Sequence, residues 1–291
     1  LQTFEVLNSP YSSSVYFAKD KNNVYYNGKK LDGIVPNDFE QIQSYFIKDK
    51  NGIYKFEEDE NEQDLKITPI NAKIDFRNFK ELDWKYFGDD KNIYYFDEDS
   101  FKKVDKADIN SFERIDSTGF FKDKNNVYYE GEKVEGIDMN SIEVVNGMCI
   151  KDKNSVFYEG KKLRNISPNN FNIFDGGISY DKILVDKNGA YKLLENENQK
   201  DKIIPLDSKN IDLKTLERID SPIDSSNYFK DKNGVYFLNG EKFVKINGAD
   251  IDTFEVTMSG KYGKDRNNVY FEGKKMEGEN PKKFEEEMEI K

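Results

Sequence analysis

Carboxylates, carboxamides and phenols recur together along this chain at fixed spacing. Asp20, Asn22 and Tyr25 stand at positions one, three and six of the phrase Asp20-Lys21-Asn22-Asn23-Val24-Tyr25-Tyr26. Three kinds of chemistry could use such a set. Oxygen ligands two residues apart, Asp-x-Asn, occur in calcium loops. A pair of carboxylates could serve glycoside hydrolysis. Aromatic rings held in register could stack sugar rings or anchor a protein partner.

Repetition decides how these options weigh. The phrase returns as Asp49 to Tyr54, Asp89 to Tyr95, Asp123 to Tyr129, Asp152 to Tyr158, Asp186 to Tyr191, Asp231 to Phe237 and Asp265 to Phe271. No acidic residue closes a calcium shell at a fixed distance, and Asp at a turn accepts backbone N–H groups two residues on. The turn reading therefore stands, and no metal site is expected. A hydrolytic pair is normally unique in a chain, whereas these carboxylates are spread by copying. No catalytic residue is assigned, and a carboxylate-based polysaccharide hydrolase is kept only as the alternative. The ladder Tyr25, Tyr54, Tyr94, Tyr128, Phe157, Tyr191, Tyr236 and Tyr270 is the candidate ligand site, with cement between repeats as the bland reading. Trp84, the only Trp, is read as core, with a ligand platform as the alternative. The acidic stretches Glu57 to Glu62 and Glu195 to Asn198 read as solvated loops.

Composition narrows the function classes further. The 291 residues hold 56 acidic and 45 basic side chains, a net charge of -11 and no His. An acidic excess argues against nucleic acid. Absent His and a single Cys149, in the apolar run Met148-Cys149-Ile150, remove the usual nucleophile–base pairs and most transition-metal sites. Cys149 is read as a small buried hydrophobe, and no cofactor is expected. No apolar run is long enough to span a membrane. A first residue of Leu is read as a cleaved leader or a trimmed chain. The 18 Tyr and 22 Phe supply the apolar surface of a folded protein.

The phrase is a turn between two aromatic-rich strands. Its fourth position (Asn23, Gly52, Asn92, Asn126, Ser155, Gly189, Gly234, Asn268) is expected to be left-handed, closing a three-residue hairpin with a bulge. A second, two-residue primed turn is expected at Asn27-Gly28, Glu130-Gly131, Glu159-Gly160, Asn239-Gly240 and Glu272-Gly273. Upstream, segments such as Asp108-Ile109-Asn110-Ser111 read as one capped helical turn. Each repeat is then a meander of about four strands. Its aliphatic position (Val24, Ile53, Ile93, Val127, Val156, Ala190, Val235, Val269) points into the core, and the aromatic residue after it faces the other way. Both faces need cover, so one repeat cannot fold alone.

Spacing between aliphatic positions is 29, 40, 34, 29, 34, 45 and 34 residues. Repeats two and six carry matching insertions, and repeat one matches five as four matches eight. A block of four was duplicated, giving halves of about 1–138 and 139–291 within one continuous array over residues 1–291. The fold expected is all-β: eight antiparallel meanders in an open superhelix or solenoid, with an eight-bladed propeller-like ring as the alternative. The open form rests on a first strand at Thr3 to Leu7 and a charged last strand at Lys283 to Met288, read as a capped edge.

The recurring Asp-Lys-Asn-x-Val-Tyr-Tyr phrase resembles the DKNYY repeat family over nearly the whole chain. That family is largely uncharacterised and brings no catalytic or binding residues to carry over. The resemblance implies a bacterial protein, exported or associated with the cell envelope, with a cytoplasmic location as the alternative. The function expected is a non-enzymatic repeat scaffold binding a protein or glycan through an extended surface. A passive spacer is the further alternative. Oligomeric state is not readable from these residues.

Overall fold

The computed structural model describes residues 4–8, 16–58, 65–70, 74–97, 100–174, 182–194, 202–221 and 226–288. Residues 59–62 and 195–198 of the two acidic stretches, and Thr3 of the expected first strand, lie outside them. Eight four-stranded antiparallel sheets follow one another, each with its strands side by side in chain order. Sheet four is representative, with strands Glu113–Arg114, Phe120–Lys122, Val127–Tyr129 and Glu132–Lys133. The insertions lengthen the last hairpins of sheets two and six, where Gly52–Glu58 pairs with Leu65–Pro69 and Ala190–Leu194 with Lys202–Leu206.

All eight aliphatic positions are buried, as the alternation requires. The aliphatic face is covered by the next repeat, and the aromatic face by the preceding one. Phe17 and Val24 of sheet one cluster with Ile47 and Phe56 of sheet two. Ile53 joins Phe79, Phe87 and Tyr94 of sheet three, and Tyr86 and Ile93 join Phe121 and Tyr128 of sheet four. Ile183 and Ala190 join Phe229 and Tyr236, and Tyr228 and Val235 join Phe254 and Tyr270. Each of these five cores is shared by two consecutive sheets, so neither sheet has a complete interior without its neighbour. Two compact bodies result, residues 1–140 with 146–149 and 157–162, and residues 141–145 and 150–156 with 163–291.

Two local expectations are corrected. None of the eight fourth-position residues is left-handed. The N–H of Asp20 reaches the carbonyl of Asn23 at 2.9 Å, while the Asp20 carboxylate, not its carbonyl, accepts the returning N–H of Asn23 at 2.8 Å. A side-chain acceptor lets the chain reverse without positive φ. Left-handed residues fall instead in the second turn, as expected there, for example Glu130 at φ 48° with Gly131 at 81°. In repeat seven Asn239 still pairs with Lys242 as a strand residue, and only Gly240 is left-handed.

The second correction lies at the far end. Pro281–Met288 is an α-helix, not a strand. Asn280 caps it, its side chain accepting from the N–H of Lys282 at 3.0 Å, and Pro281 occupies the first helical position. Phe284 packs on Tyr262 of the last sheet at 5.0 Å. The edge strand on which the open-array expectation leaned is therefore absent.

Candidate functional site

Every phrase aspartate is a junction of hydrogen bonds. In all eight repeats one carboxylate oxygen accepts the N–H groups two and three residues on; at Asp123 both, from Asn125 and Asn126, are 2.7 Å long. The other oxygen reaches upstream. Asp123 Oδ2 accepts the Asp108 N–H at 2.8 Å, and Asp49, Asp186, Asp231 and Asp265 take the N–H of Val35, Ser167, Asp212 and Asp250. The upstream turn answers with its own hydroxyl, as Ser111 Oγ accepts the Lys124 N–H at 3.1 Å. Turn and incoming chain are thereby locked together in these five repeats.

The ladder tyrosines complete this network. Tyr25, Tyr94, Tyr128 and Tyr270 donate their hydroxyls to the second carboxylate oxygen at 2.8–2.9 Å. Tyr54 and Tyr191 reach the first oxygen, at 3.2 and 3.4 Å. Asn126 Nδ2 donates in turn to the Tyr128 hydroxyl at 3.2 Å, which explains an Asn at the fourth position without any left-handed backbone. Tyr94, Tyr128, Phe157, Tyr236 and Tyr270 are buried; Tyr25, Tyr54 and Tyr191 are half-buried. None of the eight rings is exposed. Phe157 lacks the hydroxyl and is still buried, so ring packing holds this position even where the bond is missing.

The network sets its own pH limits. Burial works to raise the carboxyls of Asp89, Asp123 and Asp265, but the N–H and hydroxyl donors outweigh it and hold them below the usual aspartate value. Burial, followed by the bond to the aspartate, pushes the phenols of Tyr94 and Tyr128 up to about 12. A lowered carboxyl contributes stability that is present above its unfolded value, near 4, and lost as pH falls through the folded one. A raised phenol contributes stability present below about 10 and lost as pH climbs toward the folded value. No His titrates between. Urea midpoints should therefore be level from about pH 5 to 9.5 and fall on both sides; a slope between pH 6 and 8, or a level line through pH 11, would contradict the network.

Other expected sites resolve as follows. Cys149 is fully buried, and burial pushes its thiol up to about 12, which leaves it inert as a nucleophile. Among the described residues no group of three or more acidic, Cys or His side chains could hold a metal ion, and no helix is long and apolar enough to cross a membrane. A shallow depression of about 380 Å³ lies beside the first phrase, lined by Phe4, Lys19, Asp20 and Pro36 among others. Trp84 is not core. It is 43% exposed, at φ 52°, because it sits in the two-residue turn at the hairpin tip between Lys80–Asp83 and Tyr86–Gly88.

Sequence reasoning also missed a cross-strand row. Glu5–Lys19, Glu40–Lys48, Glu113–Lys122, Glu143–Lys151, Glu217–Lys230 and Glu255–Lys264 pair the first strand with the second in six sheets. Every Glu of the row is exposed, although Lys48 and Lys264 are buried, so each pair is worth about 1 kcal/mol or less and acts mainly on strand register. The Lys before the phrase Asp in six of the eight repeats, and a Glu some ten residues earlier, were the available signal.

A model of the DKNYY family matches the chain over residues 1–132, 71–195, 120–274 and 228–290. No curated protein and no solved structure matches it.

Proposed function

This chain belongs to the DKNYY family, and we propose that it is a non-enzymatic repeat scaffold, binding a glycan or protein partner through an extended surface in the bacterial cell envelope. One observation carries this reading: the copied residues are consumed by folding, while uncopied large side chains stand exposed. Phrase aspartates and ladder rings are bonded or packed inside the repeats. At the tips of the first hairpins, by contrast, Tyr45, Trp84 and Met148 of the first body and Met258 of the second are exposed. A rigid frame with variable tips is how repeat proteins present a binding face. The ladder is the frame, and the tips are the face.

Screening the full chain against glycan and protein arrays tests this, followed by two sets of variants on any hit. Tyr45→Ser and Met148→Gly should weaken binding without moving the thermal midpoint. Tyr25→Ala and Tyr191→Ala should lower the midpoint and leave the affinity of the folded fraction intact. Binding untouched by every tip variant would remove the reading. Placement in the envelope follows from the kind of protein the family phrase implies. Antibody that labels lysed but not intact source cells would exclude it.

A second reading, polysaccharide hydrolase, has one specific support. Glu81 and Asp83 form a carboxylate pair in repeat three, and the Glu81 position is Val6, Gln41, Arg114, Ile173, Arg218 or Val256 elsewhere. Burial, then the charge of Asp83, raises the Glu81 carboxyl above its ordinary range, as a general acid requires.

A further inference from the structure

Trp84 breaks the pattern of its own position. Five residues before the phrase aspartate, the other repeats with that residue described carry Ser44, Thr118, Gly147, Ser226 and Gly260. All are small, and Gly260 is left-handed with φ 70°. A bulky L-residue is sterically disfavoured in that region, and exposure of the ring means that burial does not offset the strain. Gly or Asn is the least strained choice at residue 84, and Trp84 is the one aromatic among the left-handed residues described. A large residue that violates local preference and still leaves 43% of its surface exposed marks a place selected for something besides packing.

Polar groups surround the ring. Lys85 Nζ lies 5.7 Å from the Trp84 ring centre and 5.8 Å from that of Tyr95. Asp83 Oδ1 lies 3.6 Å from Arg114 Nη1, and both side chains are partly exposed. Arg114 is itself fixed by donation from Nε to the Thr118 carbonyl. On the neighbouring tip Tyr45 is 62% exposed, and the strands bearing the two tips, Glu40–Gln43 and Lys80–Asp83, pack side by side.

We propose that Trp84 is the stacking platform of an oligosaccharide site, with Asp83 and Arg114 bonding sugar hydroxyls and Tyr45 receiving a further ring. A pyranose with equatorial hydroxyls has a flat apolar C–H face and a polar rim. It therefore needs an exposed aromatic face bordered by a carboxylate and a guanidinium fork. An apolar peptide segment would desolvate Asp83 and Arg114 without replacing their bonds. A polyanion would meet Glu81 and Asp83 beside Lys85 and Arg114. Neutral pyranoses fit best. This inference rests on the glycan-binding reading above and names its ligand class.

As the only Trp, residue 84 reports directly through its fluorescence. The full chain, titrated with cellohexaose and with chitohexaose, should give a saturable change in emission with at least one, and none with glucose at equal concentration. By calorimetry Trp84→Gly should weaken that binding about tenfold or more, while Trp84→Phe retains most of it. Trp84→Gly should also melt no lower than the parent, because a left-handed strain is relieved. A lower melting point would make the ring a packing piece and overturn the inference, as would silence toward both hexaoses at millimolar concentration. Array binding that survives Trp84→Gly would sink this site and leave the scaffold reading standing. Release of reducing ends, lost in Glu81→Gln, would keep the sugar site and overturn the non-enzymatic reading instead.

Discussion

Asp123→Ala should cost about 3–5 kcal/mol of stability, since a buried donor left without an acceptor costs about 1–3 kcal/mol. Four donors converge on this carboxylate: the N–H groups of Asp108, Asn125 and Asn126 and the Tyr128 hydroxyl. Water can reach the exposed Asn125 but not the interior of the junction, where Asp123 is 3% exposed. Asp123→Asn keeps one acceptor oxygen and turns an amide N–H₂ toward the Asp108 N–H, so about 2 kcal/mol is expected. Tyr128→Phe removes one hydroxyl and copies what repeat five already carries at Phe157, which should cost about 1 kcal/mol. Chemical denaturation of the three variants checks the order Ala, Asn, Phe. If Asp123→Ala lost less than Tyr128→Phe, the carboxylate would not be the junction described here.

The second large effect concerns contact between repeats. Gly131→Ala should destabilise by about 2–4 kcal/mol, the sum of a left-handed Ala and an overpacked interface. Gly131 has φ 81°, and a Cβ there would lie 2.7 Å from the Tyr95 Cβ of the preceding sheet. Its N–H also donates to the Tyr86 hydroxyl at 2.8 Å. The same arrangement recurs 45 residues apart in the second body, where Gly273 donates to Tyr228 and a Cβ would meet Phe237 at 2.5 Å. Gly28 is the internal control. It has the same φ, but no side chain lies within 4 Å of its Cβ position. Gly28→Ala should therefore show the backbone strain alone, about 1–2 kcal/mol. Equal losses in the two variants would mean that stacking between sheets contributes nothing at this turn.

These two positions show how stability is organised. Asp123 secures a reversal within one repeat and ties it to the chain arriving from the last, while Gly131 lets that repeat seat against its neighbour. The reversal recurs in every copy and the second task at Gly131, Gly160 and Gly273, and selection on folding suffices to explain them. Trp84 is the counterexample, present once and left in the open.

How much was readable in the residues follows from the range of the interactions. Turn chemistry operates within about seven residues, so the Asp turns, the Glu-Gly and Asn-Gly turns and the buried aliphatic row were legible from the repeats themselves. The handedness of the first turn was misread because an acceptor could be a carbonyl or a carboxylate, and both satisfy the same sequence. The terminal helix is announced by Asn280-Pro281, a capping side chain followed by a first-position proline, where a charged edge strand is expected from the end of the array. Whether Tyr128 is a ligand stripe or a bonded core ring depends on the preceding sheet closing over it, and whether Trp84 is buried or exposed depends on its place in a two-residue turn. Amino-acid order alone established eight copies of a meander and the residues at its corners. Burial of the second strand face was decided only when neighbouring sheets packed, because solvent is excluded by residues some thirty to forty-five positions away.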